Sequence, residues 1–118
     1  MSIKVEVCQL DDLVPYSGCC ALVEGQQVAL FRVDEGETVY AIGNYDPIGD
    51  ANVLSRGLLA EVNGVITVAS PLYKQHYCLT TGQCLDTENV RVPAYAVSVE
   101  DGAVYVSIPQ ADDKAKAA

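Results

Sequence analysis

A single histidine serves the 118 residues of this chain, and tryptophan is absent. With one imidazole, a metal centre would have to draw mainly on cysteine or carboxylate. Basic residues are scarce as well: seven Lys and Arg stand against sixteen Asp and Glu, a net charge of −9. The excess lies in the body, where residues 1–109 hold 14 acids and 5 bases. Nucleic acid and anionic membrane both need a basic footprint, so neither suits this chain as a partner. The acidity itself reads as a means of solubility. No apolar run approaches the roughly 18 residues of a membrane span. The start, Met1-Ser2-Ile3-Lys4-Val5-Glu6, carries charge where a signal peptide needs an unbroken apolar stretch. The expected location is the cytoplasm. Helical periodicity and internal repeats are missing too, and so is any glycine-rich phosphate loop of the GxGxxG or GxxxxGK[ST] kind.

What is present reads as strands and turns. Ile3, Val5 and Val7 alternate with polar residues, as on a half-buried strand. Three further strands, Cys19–Val23, Val28–Val33 and Thr38–Ile42, are separated by turns at Glu24-Gly25-Gln26 and Asp34–Glu37. They predict an antiparallel meander, and Val28–Val33 is long enough in apolar residues to be a central strand. Asn63-Gly64 and Asp101-Gly102 each sit between two apolar runs, the strongest short-range signal for a hairpin. Residues 43–52 hold two Gly, a Pro and four Asn or Asp, and are expected to be loop. Eight or nine short strands with frequent turns predict an all-β sandwich or small barrel. One domain over 1–109 is expected, with 110–118 as a disordered tail. The five cysteines, Cys8, Cys19, Cys20, Cys78 and Cys84, read as small buried hydrophobes in a reducing compartment.

Two loops can carry function in such a scaffold: Asn44–Asn52 and Ser70–Lys74. The first enters the Asn63-Gly64 hairpin and the second leaves it, so they are expected side by side. Their tyrosines, Tyr45 and Tyr73, suit a contact surface, whereas Tyr40, Tyr77, Tyr95 and Tyr105 fall within strands as core or core-edge rings. His76-x-Cys78-x5-Cys84 is the one cluster of metal-ligating types. Two ligands on one strand face and a distant third make a poor metal site, and a Cys–His nucleophile would lack a group to orient the imidazole. These three read as ordinary strand residues. From the residues alone the chain is an acidic all-β domain with two adjacent ornate loops and no self-contained catalytic set.

The order of these features resembles the Rieske family. Ser70-Pro71-Leu72-Tyr73, then Tyr77, then Thr81-Gly82 is similar to that family's second cluster loop, which runs Cys-Pro-x-His, an aromatic, Thr-Gly. Val39-Tyr40-Ala41-Ile42 looks like the strand entering its first loop, and Tyr95–Val106 like its closing hairpin. The resemblance covers residues 3–108. It implies a Rieske-like antiparallel β-sandwich of stacked small sheets. Carried over, the first loop's Cys-x-His falls on Asp46-Pro47-Ile48, or two residues earlier on Asn44-Tyr45-Asp46, and the second loop's pair on Ser70 and Tyr73. The cluster-ligand positions Asp46, Ile48, Ser70 and Tyr73 thus hold no thiolate or imidazole, which a Rieske 2Fe–2S cluster requires.

A narrower resemblance accounts for that. Asn44–Pro47, Val53–Gly57 and Ser70–His76 look like the small subunits of assimilatory NAD(P)H-dependent nitrite reductases, a Rieske-like group without the ligands. The resemblance implies a cytoplasmic, heteromeric enzyme of nitrate assimilation. Its large subunit would carry FAD, siroheme and an iron–sulfur cluster and reduce nitrite to ammonia. This chain would hold no cofactor and no catalytic residue. It would meet the large subunit through its tip: Tyr45, Asp46, Pro47 and Ile48 of the first loop, Arg56 after it, and Ser70, Leu72, Tyr73 and Lys74 of the second, with Tyr73 and Arg56 as anchors. The other reading is a free-standing binding or regulatory module on a degraded Rieske scaffold.

Overall fold

In the six-stranded sheet the sequence neighbours β1 (Ser2–Gln9) and β2 (Ser17–Val23) lie at opposite edges, and the strands between them run β11 (Ala103–Pro109), β10 (Ala94–Glu100), β4 (Val39–Gly43) and β3 (Gln26–Arg32). The computed structural model describes residues 2–109; the expected tail, 110–118, lies outside the described residues. The predicted meander is there as β2–β3–β4, and every pairing in the sheet is antiparallel. A 3₁₀ turn at Leu10–Asp12 begins the crossing from β1 to β2. Arg32 ties that crossing down: its guanidinium donates to the Leu13 carbonyl at 2.9 Å, and the Tyr16 N–H donates to the Arg32 carbonyl at 2.6 Å.

A second sheet of three strands, β7 (Leu58–Val62), β8 (Val65–Ala69) and β9 (His76–Cys78), packs across the first. The β7–β8 hairpin turns at Asn63-Gly64, with φ of +51° and +83°, the paired left-handed conformation that a two-residue turn requires.

The continuous apolar run in β3 has a physical reason. Successive side chains on a strand face opposite sides. Val28 and Leu30 enter a core with Leu10, Leu13, Val104, Val106 and Ile108. Ala29 and Phe31 enter a second core with Ile42, Leu54, Val68, Tyr77 and Leu79. Both faces of β3 are therefore covered, and alternation disappears. The second core glues the small sheet to the large one and sets where the two loops emerge.

Two expectations are corrected. Residues 43–52 are not wholly loop: β5 (Tyr45–Asp46) and β6 (Ala51–Asn52) pair in a short ladder, which brings the described strands to eleven. Gly43 ends β4, and Pro47 and Gly49 lie in the tight connection between β5 and β6, which composition alone cannot separate from open loop. Cys19 and Cys20 are exposed and Cys8 is half-buried; Cys78 and Cys84 are buried as expected. The exposed pair lies on β2, an edge strand with no described strand beyond it. Among the described residues no helix is long and apolar enough to cross a membrane.

Gly82 closes the turn after β9. Its φ is +80°, and an added Cβ would lie 1.9 Å from the Val92 carbonyl oxygen. Gly64 has nearly the same φ but nothing within 4 Å of that point. Gly64→Ala should therefore cost about 1 kcal/mol from backbone strain alone. Gly82→Ala adds a backbone clash and should cost roughly 2–4 kcal/mol. Urea unfolding of the two variants measures the difference.

Candidate functional site

The two loops meet, as their places around the hairpin predict. Asp46 ends β5 and Ser70 follows β8, and the Ser70 hydroxyl donates to Asp46 Oδ2 at 2.5 Å. The Tyr77 hydroxyl donates to Asp46 Oδ1 at 2.9 Å from β9, and the Ile48 N–H donates to the same oxygen at 3.0 Å. All three side chains of this cluster are sealed from solvent: Asp46 is 0% exposed, Ser70 1% and Tyr77 0%. Burial pushes the Asp46 carboxyl pKa up, but donation from Ser70, the Gly49 N–H, Tyr77 and the Ile48 N–H outweighs it and holds the group below its ordinary value. Burial, and after it the bond to Asp46, push the Tyr77 phenol far above its ordinary value. Asp46 is thus a buried carboxylate and Tyr77 a fixed donor.

Each loop is also closed on itself. The Asp50 N–H donates to the Asp46 carbonyl at 2.7 Å, and the Tyr45 hydroxyl donates to the Asp50 carboxylate. In the second loop the Ser70 N–H donates to the Gln75 carbonyl at 2.8 Å, and the Lys74 N–H to the Ser70 carbonyl at 3.0 Å. Gly49 lies where the loops touch. A Cβ there would be 2.5 Å from Leu72 Cδ1 and 2.9 Å from Asp46 Oδ2. Asn44, the alternative start of the first Cys-x-His alignment, is also buried. It accepts the Ser55 N–H at 2.7 Å and donates to Gln27 at 3.0 Å, which ties the following 3₁₀ turn, Leu54–Arg56, to β3.

Of the nine residues expected to touch a partner, Asp46 and Ser70 are therefore interior, because each is the other's hydrogen-bond partner. Ile48 is half-buried against the second core. Tyr45, Pro47, Arg56, Leu72, Tyr73 and Lys74 are exposed, with Tyr73 at 64%. Sequence reasoning placed Tyr77 as a core ring and missed its hydroxyl as the third member of the lock. Its place one residue out of phase with His76 signals an inward side chain, but not where the hydroxyl goes.

His76 and Cys78 share one face of β9, while Cys84 bridges opposite Tyr77. His76 Nδ1 lies 3.5 Å from Asp86 Oδ2. Among the described residues no three His, Cys, Asp or Glu side chains converge as a metal site.

This curled antiparallel fold with two adjoining loops at one tip defines a class. The chain belongs to the Rieske-like [2Fe–2S] domain family, which matches residues 4–107. Within that family its homology is to small subunits of nitrite reductase. It is 47% identical over 104 residues to the nitrite reductase (NADH) small subunit of Salmonella typhimurium, covering 88% of this chain and 96% of that one. The solution structure of the nitrite reductase [NAD(P)H] small subunit from Erwinia carotovora superposes with a TM-score of 0.81 at 50% identity, over 95% of this chain and 86% of that one. The nitrite reductase [NAD(P)H] large subunit of Klebsiella oxytoca contains a stretch 42% identical to 94% of this chain, within 11% of its own length.

The family's cluster can be tested against this tip. Iron of a Rieske centre takes thiolate and imidazole. Asp46, Ile48, Ser70 and Tyr73 supply neither. Asp46 and Ser70, at the two cysteine positions, are bonded to each other with no space between them for iron. The residues do not fit the cluster, and no electron-transfer step through this domain follows from them.

The buried carboxylate carries a stability prediction. Its folded pKa lies below the unfolded value of about 3.9. Its stabilisation is therefore complete above that pH and is lost as pH falls from there through the folded pKa. Asp46→Asn should cost about 2 kcal/mol near neutral pH by turning one acceptor into a donor that faces donors. The gap from wild type should narrow below about pH 4. Urea unfolding across pH checks both.

Proposed function

We propose that this chain is the accessory, non-catalytic small subunit of a cytoplasmic NAD(P)H nitrite reductase, and that its tip docks on the large subunit. The observation that carries the reading is the lock itself. Two of the positions that would bind a cluster, Asp46 and Ser70, join Tyr77 in a buried network, so the tip keeps its shape without iron. What it offers outward is a rim of Tyr45, Pro47, Leu72 and Tyr73, four exposed side chains rich in aromatic and apolar surface. Such a rim is suited to recognition: tyrosine is enriched where binding energy concentrates.

The Klebsiella oxytoca relative supports the pairing. There a domain like this one is part of the large-subunit polypeptide. Covalent linkage holds two modules at high effective concentration, a benefit only where they work together. In this reading the large subunit carries FAD, siroheme and the iron–sulfur cluster and reduces nitrite to ammonia. This chain supplies a surface that steadies it.

Co-expression with the large subunit tests the proposal. The two chains should co-purify, and nitrite turnover should be higher with this chain than without it. Tyr73→Ala should weaken the complex about tenfold, the loss of a moderate interface anchor. Equal turnover with and without the chain, together with unchanged affinity for Tyr73→Ala, would falsify the docking reading.

A further inference from the structure

Beside the tip, the small sheet has an outer face that the lock leaves unused. Leu58 pairs with Ala69, and Ala69 with His76, across β7, β8 and β9. Directly opposed residues point to the same side, so these three form one row. The row, with Arg56, Pro71 and Lys74 around it, lines an open cleft of about 430 Å³. Leu58 is 77% exposed, more than any other large apolar side chain described. Its strand, β7, is an edge, so no described strand covers that side.

The charge of the cleft runs against the rest of the chain. Residues 1–109 hold only five cations in a protein of net charge −9. Lys4 pairs with Glu100. Arg32 donates to the carbonyls of Leu13, Glu35 and Gly36, and Arg91 to that of Thr81. Arg56 and Lys74 are the two that remain, and among the described residues neither has an ion-pair or side-chain hydrogen-bond partner. Both border this cleft. No described acidic side chain lines the cleft, and Asp86, beside its His76, is engaged with that imidazole.

We infer that the cleft seats an extended acidic segment of the large subunit. An apolar side chain of that segment lies against Leu58, Ala69 and Pro71, and a neighbouring carboxylate lies between Arg56 and Lys74. The inference rests on the docking reading above and gives it a second, electrostatic half. Ser70 and Pro71 border both the tip and the cleft, so one partner surface can cover the two.

The test is a binding titration of the purified large subunit with the full chain at low and high salt. Wild-type affinity should fall as salt rises. The double variant Arg56→Gln with Lys74→Gln should bind about tenfold more weakly at low salt and show a flatter salt dependence. Both side chains are exposed, and unchanged urea unfolding would verify that the variant is folded. As an independent readout, a photo-crosslinking amino acid at position 58 should attach to a segment rich in Asp or Glu. Wild-type affinity and salt dependence in the double variant, while Tyr73→Ala still weakens binding, would overturn the cleft and leave tip docking standing. A crosslink to a neutral or basic segment would also overturn it. If Tyr73→Ala has no effect either, the docking reading fails with it.

Discussion

The Asp46 carboxylate is the constraint on which the tip depends. A buried charge costs several kcal/mol unless its lone pairs are met by donors. Here the donors come from three places in the chain: the first loop through the Ile48 and Gly49 N–H groups, the second loop through Ser70, and β9 through Tyr77. Ser70 lies 24 residues after Asp46 and Tyr77 31. One acidic side chain thus holds together segments that local backbone pairing could not. The close approach of Gly49 to Leu72 follows, since any Cβ there would strike both Leu72 and the carboxylate. Removing one donor leaves the charge short of partners, which costs more than the net worth of the bond removed.

This lock divides the tip into an interior that sets shape and an exterior that can be read. Asp46, Ser70 and Tyr77 belong to the first, and Tyr45, Pro47, Leu72 and Tyr73 to the second. A cluster-bearing tip derives its geometry from metal–ligand bonds. This one derives it from hydrogen bonds and from the second core behind it, where Ile48 and Tyr77 pack with Leu54 and Val68. The cleft beside the tip adds positive charge to an otherwise acidic body. Shape and charge therefore favour the same end of the molecule as a contact surface.

Most of the large architecture is legible from sequence because it rests on local signals. Asn63-Gly64 fixes a two-residue turn, and counting outward from it sets Leu58 opposite Ala69, as observed. The uniform run in β3 reads correctly as a central strand because both faces are covered. The site is less legible for the opposite reason. An Asp in a segment rich in Gly, Pro and Asn is expected on the surface, and nothing local marks Asp46 as buried. Its partners lie in other elements, and the register of β9 against β8 is set by a six-residue connection whose Ser70-Pro71 marks a turn but does not fix a register as Asn63-Gly64 does. The exposure of Cys19 and Cys20 is likewise decided by which strand ends at a sheet edge, a matter of topology that composition does not carry.

In the proposed complex the tip and the cleft beside it both face the large subunit. Hydrogen–deuterium exchange on this chain, alone and in complex with the large subunit, reads out which face is covered. Slowed exchange confined to residues 45–48, 56–58 and 70–76 is the predicted result. Unchanged exchange in those segments, with protection instead at the Asp101-Gly102 turn of the β10–β11 hairpin, would contradict it.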